Sequence, residues 1–211
     1  MIPTMAIAHS SGLVAAVTEV MGGAQSTSCS HTNRIAGSLS SGLHHARVAR
    51  GSGFCTFNGL VVASEVALEL GAERILVLDF DAHCGGGTRS MTDPASVVQI
   101  DVSTIAYDRW QPSGNDSLVI ADPNDYLDRV AEALALADKV GTFDLVLYNA
   151  GVDPTDSGVS AAQLRAREQM VAEWANRLHH RLVYALAGGY TNRLTMDELV
   201  GLHKLTIDAF R

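Results

Sequence analysis

Arg74-Ile-Leu-Val-Leu-Asp-Phe80 runs directly into Asp81-Ala-His-Cys-Gly-Gly-Gly-Thr88. The first seven residues form a short apolar run, with Gly71 before it and a glycine cluster behind it. A run of this length without polar alternation reads as a strand buried on both faces. Such strands belong to parallel sheets flanked by helices. The polar residues after Leu78 stand where the strand leaves the sheet, the end at which parallel sheets gather their ligands.

The same alternation extends both ways along the chain. Upstream, Ala6–Met21 is mostly apolar and reads as a helix in spite of Gly12, and Thr56–Leu70 carries helical apolar spacing up to Gly71. Between them Gly22–Ser41, rich in Ser, Gly and Thr, reads as loop with a short strand near Arg34–Ser38. Downstream, Val97–Val102 is a second strand. Asp122-Pro123 opens a helix that runs to about Val140, with Asp as cap and Pro at the first position. Phe143–Tyr148 is a third strand, Ala161–His179 a helix and Leu182–Leu186 a fourth strand. Thr195-Met-Asp-Glu198 has the form of a capping box and opens the last helix. The pattern predicts an α/β fold: one three-layer domain over residues 1–211, its mostly parallel sheet covered by helices on both faces.

Bulk properties narrow the function. The net charge is −8, which argues against nucleic acid as the main ligand. Cys29, Cys55 and Cys84 form no CxxC pair and are odd in number, so no disulfide framework is expected and a reduced, cytoplasmic setting is the simpler reading. The N-terminus lacks a basic segment ahead of an apolar run, so no signal peptide is expected, and no stretch is apolar enough for a membrane span.

Three strand ends carry unusual polar residues. In an extended strand Asp79, Asp81 and His83 would share a face, and a carboxylate and an imidazole converging there can bind Zn²⁺. On the residues alone, these aspartates could equally cap the following loop. The triple glycine would let the chain turn sharply and leave space above the site. Asp153 follows the third strand and could supply another ligand, although an Asp-Pro turn is the commoner arrangement. After the fourth strand, Gly188 and Gly189 would let the backbone approach a ligand, with the Tyr190 hydroxyl in the pocket; a half-buried strand-end tyrosine is the plain alternative. Upstream, His44 and His45 are either a proton-transfer pair or a surface pair such as His179-His180. Gly51-Ser-Gly-Phe-Cys-Thr-Phe-Asn58 reads only as a loop ending in a helix cap.

Taken in order, His44-His45, the Gly51–Asn58 segment, Asp79-x-Asp81-x-His83 with its glycines, Gly151-Val-Asp153 and Gly188-Gly-Tyr190 resemble the zinc-dependent histone deacetylase family. That family includes bacterial deacetylase-like amidohydrolases, acetylpolyamine amidohydrolases and acetoin-utilisation proteins. The resemblance covers about His44 to Leu205 and implies an arginase/deacetylase-like fold. It implies that Asp81, His83 and Asp153 hold one Zn²⁺ per chain, that His44 and His45 are the dyad, and that Tyr190 polarises the substrate carbonyl. Asp79 would orient the first histidine and help hold a structural K⁺. Phe54 would line an acyl-lysine tunnel, with Gly189 assigned to substrate contact. The implied reaction is hydrolysis of an acetyl-lysine or acetylated polyamine amide. Metal-activated water attacks, a histidine takes its proton, Tyr190 and zinc steady the oxyanion, and a dyad histidine, here His45, protonates the leaving amine.

The sequence departs from the family in three places. Only 43 residues precede His44, where relatives have a longer segment that helps form the tunnel. A shallower pocket, or one completed in a homo-oligomer, is therefore expected. Gly86 stands where many relatives place Asp or Asn to orient the second histidine, so His45 is expected to lack that partner. Cys84 stands where relatives carry a second His, and reads as a small buried thiol or a redox-sensitive one.

Other readings are a weakly active or inactive binding or regulatory protein with this fold, a degenerate gene product, and a binuclear manganese ureohydrolase. The last would need an Asp where Gly85 stands.

Overall fold

The computed structural model describes residues 2–22 and 34–211. Most of the loop expected over Gly22–Ser41, with Cys29, lies outside the described residues. The elements are α1 (Ile2–Gly22), β1 (Ile35–Ser38), α2 (Gly59–Glu69), β2 (Ile75–Asp79), a one-turn α3 (Gly86–Arg89), β3 (Val97–Ser103), β4 (Ser117–Ile120), α4 (Tyr126–Val140), β5 (Leu145–Gly151), α5 (Ala161–Arg177), β6 (Leu182–Ala187) and α6 (Met196–Ala209). A 3₁₀ turn, Asp153–Ser157, follows β5.

The six strands form one sheet in the order β1-β6-β5-β2-β3-β4, and every neighbouring pair is parallel. Each strand of β2 and β5 is buried along its whole length. Alternate residues feed opposite cores. Ile75, Val77, Leu145 and Leu147 join α1 and α2 on one side, and Leu76, Leu78, Val146 and Tyr148 join α4 and α5 on the other. Each fully buried aliphatic side chain contributes about 1.5–3 kcal/mol by leaving water. The result is an α/β three-layer fold.

Strand order reverses between β2 and β5. From there the chain builds outward as β2-β3-β4 in one direction and as β5-β6 in the other, where β1, the first strand of the chain, forms the edge beyond β6. Asp79 and Asn149 stand side by side at this reversal. In open α/β sheets the crevice beyond the strand ends at such a point is the place for a ligand.

Local chemistry explains the element ends. Thr195 and Glu198 form both arms of the capping box at α6, and Ser160 and Gln163 form a second at α5. Asn58 caps α2 by accepting from Val61 N–H at 3.1 Å. The start of α4 differs from the sequence reading. Asp122 Oδ1 accepts from Asn124 N–H at 3.0 Å, which closes a turn over Pro123 and delays the helix to Tyr126. Among the described residues, no helix is long and apolar enough to cross a membrane.

Candidate metal centre and histidine dyad

Asp81 and His83 lie on the chain leaving β2, and Asp153 begins the turn leaving β5. The reversal brings them together: one donor atom from each lies within 4.8 Å of the other two. His83 Nδ1 is 3.1 Å from both Asp81 Oδ1 and Asp153 Oδ2. Main-chain bonds set the carboxylates, from His83 N–H to Asp81 Oδ1 (2.9 Å) and from Ala82 N–H to Asp153 Oδ1 (3.0 Å). Asp153 Oδ2, although buried, meets no donor other than this His83 ring nitrogen. A tetrahedral ion about 2.0–2.2 Å from each donor would space them about 3.3–3.6 Å apart, so the two His83 distances need only slight spreading. Gly188 guards this arrangement. Its φ is +65°, and a β-carbon there would lie 2.4 Å from Asp153 Oδ1.

The electrostatics suit a cation. Hydrogen bonding to Asp153, then to Asp81, pushes the His83 pKa up to about 10, against the effect of burial. Burial, then the charge of Asp81, raises that of Asp153. Without a metal, His83 therefore carries a proton that a metal must displace. Metal uptake at neutral pH should release about one proton from this ring, and affinity should rise about tenfold per pH unit until the pH approaches the His83 pKa. Calorimetry in buffers of different ionisation enthalpy measures that release; uptake with no proton released would contradict it. In the metal-free protein the folded pKa is raised. Its stabilising contribution is thus full below about 6.5 and is lost as the pH rises through about 10.

His44 and His45 are both buried, beside this triad. His44 Nδ1 is 2.6 Å from Asp79 Oδ2, and the two Nε2 atoms face each other at 3.1 Å. Burial pulls the His44 pKa down, but Asp79 and Asp81 overcome it and hold it well above the ordinary value. Burial lowers that of His45, and the neighbouring His44 adds to the effect. The dyad loop is pinned by Asn58, whose amide donates to the carbonyls of His44 and Ala46 at 3.1 and 3.2 Å. Asp79 stands outside this donor set and turns to His44.

The structure differs from the sequence expectation at His45 and at the glycine run. His45 has a partner, because Asp108 Oδ2 lies 3.0 Å from its Nδ1. The glycine run leaves no open space: it starts α3, and the carbonyl of His44 and the main chain of Asp108 fill the positions where side chains of Gly87 and Gly86 would project. Cys84 is wholly buried, and burial pushes its pKa up to about 12, so it sits as a thiol.

Tyr190 and Phe54 face each other across the mouth, their rings 6.2 Å apart. A cavity of about 220 Å³ runs between them to His44, His45 and Asp81. Burial, then Asp153 and Asp81, raises the Tyr190 pKa, so its hydroxyl remains a donor. Phe54 is 92% exposed, so it forms a rim and not an enclosed tunnel. Gly189 lines the cavity with its backbone; Leu199 and Val152 occupy the place of a side chain.

Arg167 had no signal in the sequence, where it is one charge within a helix. It is fully buried, and its Nη1 donates to the carbonyls of Phe80 (3.0 Å) and Gly151 (2.7 Å) and to the Tyr126 hydroxyl (3.0 Å). One guanidinium thus braces the ends of both strands that carry the triad. Its charge is met by Glu168, also buried, which accepts from Nε at 3.0 Å.

A profile of the histone deacetylase domain matches residues 2–110. Histone deacetylase 2 of Arabidopsis thaliana is 28% identical over 184 residues, covering 79% of this chain and 48% of the relative. An uncharacterized protein of Picosynechococcus sp. is 30% identical over 191 residues, covering 84% and 62%. The chain thus spans about half to three fifths of the length of these relatives. The crystal structure of acetylpolyamine aminohydrolase from Burkholderia pseudomallei superposes with a TM-score of 0.74 at 19% identity, covering 96% of this chain and 61% of that one. At that identity the likeness speaks for the fold alone.

Proposed function

The chain belongs to the histone deacetylase domain family, and we propose that it is a zinc-dependent deacylase acting on the amide of an acylated amine, either acetyl-lysine or an acetylated polyamine. The observation that carries this reading is the meeting of Asp81 with His83 and Asp153, where Asp81 also lines a cavity walled by the histidine pair and Tyr190. One imidazole and two carboxylates form a donor set suited to Zn²⁺, and Asp153 Oδ2, buried with no partner but the His83 ring, fits a ligand atom. Zinc held there would supply Lewis acidity toward an acyl carbonyl and a water of lowered pKa.

The chain's own residues account for the remaining chemistry. Acceptors on Nδ1 of each ring leave the two Nε2 positions to share a proton. The pair can therefore take one from the attacking water and return it to the leaving nitrogen, the second step through His45. The Tyr190 hydroxyl donates to the carbonyl oxygen as negative charge grows on it. Phe54 and Tyr190 flank the acyl group at the mouth.

The same reading places a structural K⁺ beside Asp79. Asp101 is buried near it, and burial, then the charge of Asp79, pushes its pKa up to about 7. A monovalent cation would relieve that repulsion. Replacing KCl with choline chloride should then lower the melting temperature; an unchanged value would remove K⁺ from the reading.

The test is turnover by zinc-loaded protein of a panel of fluorogenic acyl-lysine peptides and acetylated polyamines. No hydrolysis of any acyl amide at full metal occupancy would refute the reading. The exposure of Phe54 favours one alternative, a weakly active or inactive binding protein. In that case the same ligands would raise the melting temperature and remain intact.

A further inference from the structure

We infer that Asp108 is the positioning residue of the second dyad ring: its carboxylate keeps the proton of His45 on Nδ1 and so turns Nε2 toward the reacting atoms. The inference rests on the reading of His44 and His45 as a proton-transfer pair, and its support is geometric. Asp108 Oδ2 stands 3.0 Å from His45 Nδ1. The carboxylate is itself held in place, since Gly87 N–H donates to Oδ2 at 2.9 Å and Arg47 donates to Oδ1. Its backbone lies in the left-handed region, φ +56°, which Asp tolerates better than most residues. The neighbouring Tyr107 closes the loop over the dyad. Its ring meets His45 edge-on at 4.9 Å, and its hydroxyl is 2.8 Å from Ser52 Oγ.

Gly86 and Asp108 work as a pair. A β-carbon at residue 86 would lie 2.3 Å from the Asp108 carbonyl oxygen and 2.9 Å from Oδ1. Position 86 must therefore be bare, to admit the loop that brings the Asp108 carboxylate to the His45 ring. The opposing account is that Asp108 only anchors Arg47 and ties down a loop. On that account the state of the His45 ring would not depend on it.

The experiment combines long-range ¹H–¹⁵N spectra of the imidazoles with acetyl-lysine kinetics on zinc-loaded protein. In the native chain His45 should show a proton on Nδ1. In Asp108→Ala that signal should vanish, and kcat should fall about 10–100-fold, the usual cost of losing an orienting outer-shell partner. KM should hold within about twofold, as for a contact that matters only in the transition state. Asp108→Asn keeps an accepting oxygen and should recover most of both, while Arg47→Ala should keep the Nδ1 proton. Gly86→Ala, which alters neither ring nor acid, should lose it by pushing the loop away, and provides a second route if Asp108→Ala does not fold. A retained Nδ1 proton with unchanged kcat in Asp108→Ala would overturn the inference. If the native chain turns over no acyl amide, the proposed activity fails, and the spectra still decide whether Asp108 sets the His45 tautomer.

Discussion

Tyr190→Phe should lower kcat on an acyl-lysine peptide by about 10²–10³-fold, the usual cost of removing one donor from an oxyanion site. The substitution deletes a single oxygen at the mouth of the cavity and keeps the ring that faces Phe54. Metal content, melting temperature and KM should all stay near their native values. Because the loss falls on kcat and kcat/KM alike, it marks an interaction made in the transition state. Steady-state kinetics with metal analysis on the same sample is the check. Robust turnover by the phenylalanine variant would remove Tyr190 from the chemistry. If substrate analogues bind the native chain without being hydrolysed, the binding-protein alternative gains.

Arg167→Met carries the largest expected effect on stability. It leaves Glu168 buried with its countercharge gone and takes a donor from the carbonyls of Phe80 and Gly151. Breaking a buried pair from one side costs about 3–5 kcal/mol. That is a large share of the roughly 5–15 kcal/mol by which domains are stable. For a chain of this size it corresponds to a drop of about 6–20 °C in Tm. Urea and thermal unfolding measure it; a loss under about 1 kcal/mol would show that the brace is dispensable. Arg167→Lys should recover only part, since an ammonium cannot span the same acceptors as the planar fork. Variants that fold should bind metal more weakly, because the two strand ends under the triad are no longer tied together.

The elements that sequence reading located best are those with both faces buried. The runs at Ile75–Asp79 and Leu182–Ala187 have no polar alternation to confuse them, and the capping box at Thr195–Glu198 marks the start of α6 in the chain itself. Strand β4 left no such mark. Ser117–Ile120 is four residues long and partly exposed, and only its pairing with β3 makes it a strand. The site divides along the same line. Asp81, His83, Asp153, His44, His45 and Tyr190 stand in short motifs at strand ends or loops. Asp108 and Arg167 reach the site from residues with no local signature. Asp108 acts through a left-handed turn after β3, and Arg167 through a buried face of α5. Gly86, read alone, suggested a missing partner, when it was making room for one.

The reversal between β2 and β5 also makes the ligand set a test of complete folding. Asp81 and His83 come from one wing of the sheet and Asp153 from the other, about seventy residues later in the chain. Neither wing can present three donors by itself. An ion seated across that seam would act as a clip on a long loop, where a cross-link restricts the unfolded chain most. The binding free energy would then be shared between chemistry and cohesion, and the protein would gain its reactive centre and its last increment of stability in the same event.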